Sequence, residues 1–143
     1  MHRAKDVLRA GCDILAPVLA PHGFRFKLRD SGNSSGGDFA WGEFVRGTRR
    51  LEVHFRYSLG LVAYRIGDAQ ATHDAYMRTV VGAPGAYPGF SDEPLEAFRH
   101  LRQDLEGFGG PFLNGNDAEL HTILQRACEE EKRKPKGLLG VLQ

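Results

Sequence analysis

Apolar residues first recur at helical spacing, then at every second position, then at helical spacing again. Over residues 3–20, Val7, Leu8, Gly11, Ile14, Leu15, Val18 and Leu19 share one side of a helix. Arg3, Lys5, Asp6, Arg9 and Asp13 fall mainly on the other. Pro17 lacks a backbone N–H and predicts a kink or an early stop, and Pro21-His22-Gly23 ends the unit. From Phe24 to Arg29 apolar and basic residues alternate, the period of a half-buried strand. DSGNSSGGD, residues 30–38, has no periodicity and reads as a polar loop.

Residues 39–57 carry the strongest pattern. FAWGEFVR and LEVHFRY flank Gly47-Thr48-Arg49-Arg50, and Gly47 suits a turn that needs positive φ. A two-residue or a four-residue loop puts Phe44 opposite Leu51 or Val53. Both registers place Ala40, Gly42, Phe44, Leu51, Val53 and Phe55 on one face. Both place Trp41, Glu43, Val45, Glu52, His54 and Arg56 on the other. Ser58-Leu59-Gly60 turns the chain into Leu61–Ile66, and Gly67-Asp68 closes a four-stranded antiparallel meander over residues 24–67.

Residues 72–134 return to helical spacing. Thr72 suits the cap of a short helix over 73–81, and GAPGAYPGF, residues 82–90, reads as a loop. Ser91 or Asp92 can cap the next helix, with Pro94 in its first turn. Its buried stripe is Leu95, Phe98, Leu101, Leu105 and Phe108. Asn116 and Glu119 form a capping box for a last helix with Leu120, Ile123, Leu124 and Ala127 inward. Pro135 stops it, leaving an apolar tail over 135–143 that can dock on something. The expected fold is α+β in one domain over 1–143: an N-terminal helix, a four-stranded antiparallel meander, then about three helices packed on one sheet face.

Composition narrows the function classes. Nineteen basic and eighteen acidic residues give +1, which argues against a dedicated nucleic-acid or membrane-surface protein. Residues 1–71 carry +4 and residues 72–143 carry −3, so the sheet half is basic and the helical half acidic. No apolar run reaches the ~20 residues that span a bilayer, and the first residues lack a signal-peptide block. Cys12 and Cys128 have no ligand or redox spacing, so a cytoplasmic chain with reduced thiols is expected. Eighteen glycines, clustered in predicted turns, mark many chain reversals.

Three surfaces are candidates for function. Trp41, Glu43, Glu52, His54 and Arg56 lie on neighbouring positions of one hairpin face. Such a set can be a solvated, charge-compensated face, a binding surface, or a catalytic site in which Glu43 or Glu52 orients His54. Tyr87 and Phe90, in the Gly/Pro loop, can anchor an interface or fold down as lids over the core. Arg46, Arg49 and Arg50 form a basic hairpin tip, either a site for acidic groups or a solvated cluster that protects a sheet edge. GAPGAYPG matches no phosphate loop, no His or Cys pair has a metal motif, and no nucleophile elbow occurs. No cofactor or metal is therefore expected, and enzymatic activity is not favoured.

LAPVLAPHGFRFKLRD followed by GEFVRGTRRLEVHFRYSLGLVAYRIGD resembles uncharacterised bacterial proteins of a small helix-then-meander family. The element order also resembles immunity proteins of bacterial polymorphic toxin systems. The likeness covers roughly residues 10–80 and includes no catalytic motif. It implies a small cytoplasmic binding protein that meets a protein partner, or itself, through its sheet face or loops. The face assignment yields a first test: Phe55→Ala, on the predicted core side, should lower unfolding free energy by ~3–5 kcal/mol in urea denaturation, and an unchanged midpoint would reverse the two faces.

Overall fold

Residues 3–88 and 93–133 are described by the computed structural model. Helix α1 (Ala4–Leu19) is followed by a 3₁₀ turn and by five strands: β1 (Arg25–Ser34), β2 (Gly37–Arg46), β3 (Arg49–Arg56), β4 (Leu59–Ile66) and β5 (Ala69–Thr72). Helices α2 (His73–Val80), α3 (Glu96–Phe108), α4 (Gly110–Leu113) and α5 (Asp117–Arg133) complete the chain. The strands form one antiparallel sheet in the order β1-β2-β3-β4-β5. The α+β class and the meander follow the sequence pattern. Among the described residues the strand count does not, and four helices follow the sheet rather than about three.

Two of the differences have one origin, strands that carry no apolar stripe. DSGNSSGGD is a hairpin, not a loop: Ser31 pairs with Ala40, Gly32 with Phe39 and Ser34 with Gly37. Its residues are half-buried or exposed, so they present no apolar stripe. The fifth strand is only Ala-Gln-Ala-Thr, and its small inward residues Ala69 and Ala71 give too weak an alternation to read. Gly67-Asp68 turns the chain into it instead of closing the sheet, with Gly67 at φ +57°.

The central hairpin settles on the shorter of the two expected loops. Arg46 pairs with Arg49 across Gly47-Thr48, and Phe44 lies opposite Leu51. Gly47 has φ +58° while Thr48 stays negative, the pattern of a type II′ turn. Ala40, Phe44, Leu51, Val53 and Phe55 are buried against the helices, as the pattern required.

Helix α1 crosses the inner face of β1–β3 and packs on α3. It runs through Pro17 to Leu19. A proline this close to the helix end removes one bond and leaves only two further residues to hold, so the expected break does not occur. Its first turn has no side-chain cap of its own; Asp38 on β2 accepts the Ala4 N–H at 2.6 Å. Thr72 caps α2 through the Ala75 N–H, and Asn116 with Glu119 caps α5, both as expected. Phe108 departs from its stripe and is exposed at the end of α3, where its carbonyl accepts the Tyr76 hydroxyl. Ser91 and Asp92, the expected cap of α3, and the 135–143 tail lie outside the described residues.

The arginines of the hairpin tip are structural. Arg49 is buried and donates to the carbonyls of Pro111, Phe112 and Gly115 and to the Asp117 carboxylate. Those carbonyls surround the end of α4, where a cation is favoured. Arg46 donates to the carbonyls of His22 and Leu113, 2.7 Å each, and lies over the Phe24 ring. Two of the three tip cations thus tie the sheet to the α4–α5 corner. Arg50 alone points to the outer face.

Helix α5 lies along β5 and covers that sheet edge. No described helix is long and apolar enough to cross a membrane. Gly11 on α1 lies against the buried Phe98 ring of α3, where a Cβ would overlap the ring carbons. Gly11→Ala gains about 1 kcal/mol of helix propensity but forces an enclosed ring to move, at ~1–3 kcal/mol. The variant should unfold at lower urea concentration than the parent, with the same denaturant slope.

Candidate functional site

The helices take one face of the sheet and leave the other open, except along β5, where Cys128 and Glu131 of α5 border it. Its central residues alternate along β2 and β3: Phe39, Trp41, Glu43 and Val45 beside Arg50, Glu52, His54 and Arg56. Trp41 and His54 are direct cross-strand partners, and their rings stack at 4.8 Å with 1° between planes. His54 Nε2 lies 2.9 Å from Glu52 Oε1. The five predicted hairpin residues therefore share one face. Arg56 lines a depression with Trp41 and His54 but lies over the Phe39 ring at 5.5 Å rather than over Trp41.

Register forces a like-charge problem on this face. Glu43 lies directly opposite Glu52, and Arg50 directly opposite Arg65 on β4, pairings that repel by themselves. The solution is diagonal. Glu43 accepts from Arg29 at 2.7 Å and Arg50 at 2.9 Å; Glu52 meets His54 at 2.9 Å and Arg65 at 3.3 Å. Arg29 reaches Glu43 because it is the extra residue of a β1 bulge, between the pairs Leu28–Gly42 and Asp30–Trp41. The alternating cations Arg25, Lys27 and Arg29 were visible in the sequence. That Arg29, Arg50 and Arg65 would clamp these two carboxylates was not, because no local pattern signals the β1 bulge or the register of β4 on β3.

The result is a radial separation of charge. The side chains of Glu43 and Glu52 are 7% and 10% exposed, those of Arg50 and Arg65 40% and 45%. From outside the face is cationic although its carboxylates are intact. Two shallow depressions flank the Trp41–His54 stack. One of about 330 Å³ is lined by Phe39, Arg56, Tyr57, Gly60 and Leu61 with the stack; another of about 270 Å³ holds Glu43, Thr48, Arg50, Glu52, Arg65 and Gly67 beside Trp41. All their lining residues belong to strands and strand turns. The surface is open, and the Glu–His pair has no enclosed space in which to act on a substrate.

A second constellation, unread from the sequence, lies inside. Asp104 on α3, His73 on α2 and Tyr64 on β4 are buried in one chain of hydrogen bonds. His73 Nε2 lies 2.8 Å from Asp104 Oδ2, and His73 Nδ1 lies 2.6 Å from the Tyr64 hydroxyl. The Tyr64 hydroxyl can donate to Nδ1 while Nε2–H donates to the carboxylate, so each group has a partner. Asp104 also accepts the backbone N–H groups of Ala86 at 2.7 Å and Tyr87 at 3.1 Å. Burial raises its pKa most, but the bonds from His73, Ala86 and Tyr87, with the nearby His73 charge, outweigh it and hold the carboxyl below its ordinary value. Burial pushes Tyr64 well above the ordinary phenol range, reinforced by Tyr76 and Asp104. The order Asp–His–Tyr is that of a proton relay, yet all three groups are sealed in the core, so it serves as a clasp.

The Gly/Pro loop belongs to that clasp. Tyr87 is half-buried, edge-on to His73, and its hydroxyl donates to the carbonyls of Leu59 and Gly60 at the β4 bulge. Its pKa rises to about 12 through burial. Of the two expected roles Tyr87 takes the lid, and Phe90 lies outside the described residues. Cys12 and Cys128 are free thiols, and burial drives the Cys12 pKa strongly upward, which keeps it from acting as a nucleophile. No cluster of three or more His, Cys, Asp or Glu able to hold a metal occurs among the described residues.

No family model, curated protein or solved structure matches the chain.

The clasp makes a signed prediction. A depressed carboxyl pKa contributes stability that is present above the unfolded value near 3.8 and lost as pH falls through the folded one. Asp104→Ala should cost ~3–5 kcal/mol near neutrality by stranding His73 and two N–H groups. That deficit should shrink below about pH 4, as read by urea unfolding across pH; a constant deficit would remove the ionised carboxylate from the account.

Proposed function

We propose that this chain is a non-enzymatic binding module that takes a protein partner on the outer face of its sheet, in the manner of the immunity proteins it resembles. The observation that carries this reading is the half-buried Trp41–His54 stack, which lines an open depression with Arg56, Tyr57 and Leu61 to which no helix residue contributes. Tryptophan and arginine are the residues most often responsible for binding energy at protein interfaces. A catalytic use of the same residues has less support. Glu43 and Glu52 are each held by two partners, and the depressions beside the Trp41–His54 stack place Glu43 and Glu52 in one and His54 with Arg56 in the other. A cytoplasmic setting accords with the two free thiols.

Affinity capture from the native lysate with parent chain and variants tests the reading. The paired change Trp41→Ala and His54→Ala should abolish capture of a partner that the parent retains, while Arg9→Glu on the opposite side of the molecule should leave it. Equal capture by the parent and the outer-face variant would move the site elsewhere. If the only captured species is the chain itself, the face is a self-association surface.

A further inference from the structure

Resting on that reading, we infer that the partner presents acidic side chains around one apolar or aromatic side chain, and that the basic rim and the depression beside Trp41 recognise the two parts separately. The argument starts from where the charges sit rather than how many there are. Across β1–β4 the outer face bears Arg25, Lys27, Arg29, Arg50, Arg56 and Arg65 against Asp30, Glu43 and Glu52. Two of those three carboxylates lie beneath the guanidinium groups that bind them. An approaching surface therefore meets cations first.

Those cations have capacity left. Arg50 and Arg65 each engage one carboxylate oxygen through a single nitrogen, and a guanidinium carries five N–H donors in a planar fork. Being cross-strand neighbours, the two present their remaining donors side by side over the 270 Å³ depression. Carboxylates accept such forks in pairs. The ion pairs to Glu43 and Glu52 also fix the arginines in place beforehand, which lowers the ordering cost of binding.

The centre is of another character. Phe39, Tyr57 and Leu61 border the 330 Å³ depression next to the Trp41–His54 stack, and Tyr57 and Leu61 are 77% and 44% exposed. Large exposed apolar groups gathered at a basic rim match an interface with an apolar centre and a polar edge. A nucleic-acid strand fits less well: the chain as a whole carries only +1, and phosphate binding draws on a strong basic field.

Trp41 is the only tryptophan, so its emission reports on this face alone. The parent chain would be titrated with a glutamate-rich peptide bearing one central phenylalanine, with that peptide lacking the phenylalanine, with a lysine-rich counterpart, and with poly(U) RNA. The glutamate peptide should shift Trp41 emission, bind more weakly as salt rises, and lose affinity about tenfold on removal of the phenylalanine or on Arg65→Glu. Arg65→Gln, which keeps the strand and removes only the charge, should fall between, and Arg9→Glu should have no effect. Binding of poly(U) in place of the glutamate peptide would overturn the inference in favour of nucleic acid, and equal binding of the lysine peptide would overturn it outright. Should none of the probes bind while partner capture still depends on Trp41, the acidic-partner inference fails and the docking face stands; capture indifferent to Trp41 fails both.

Discussion

Asp104 receives three hydrogen bonds in the interior, from His73 and from the backbone of Ala86 and Tyr87. Through them α3 is fastened to α2, to the 82–88 loop and, by way of the His73–Tyr64 bond, to β4. A buried carboxylate left without partners is costly enough to unfold a small domain, so these elements must assemble together or not at all. Around the clasp the aromatic rings close in: Tyr64 contacts His73, Tyr76 and Phe112, and Tyr87 meets His73 edge-on. Gly85 is required at its position because a Cβ would overlap the Asp104 carboxylate.

With the helices secured to the inner face, the outer face is free to hold its own charge system. Arg49 contributes to this arrangement from the other side of the sheet, since its bonds to the α4–α5 corner fix the hairpin tip that also presents Arg50. The inner and outer polar systems differ in kind. The clasp is buried and each of its groups has a partner, which suits a structural role. The outer ladder is wet, cationic toward solvent and still has donors to give, which suits recognition.

How much of this could be read beforehand differs from residue to residue. Trp41, Glu43, Glu52 and His54 were placed on one face because strand alternation is local and survives an uncertain turn. The caps at Thr72 and Asn116 were legible for the same reason, each being a contact within three residues. The role of Arg49 was misjudged, as a charged residue at a hairpin tip is usually solvated, and only the long-range approach of α4 supplies it with carbonyls. Tyr87 could be anchor or lid until the β4 bulge offered its hydroxyl two acceptors. His73 and Asp104 gave no signal, because thirty-one residues separate the two groups that need each other.

By itself the sequence determined the α+β class, the antiparallel meander, the two faces of the central hairpin and the ends of several helices. All of these follow from spacing of apolar residues and from contacts within one turn. Only the tertiary structure decided the fifth strand, the buried Asp104–His73–Tyr64 clasp, the bulge that brings Arg29 to Glu43, and the placing of arginines above carboxylates on the outer face. Each of those depends on which distant segments become neighbours, and the energy that selects them comes from burial and charge pairing that no local window contains.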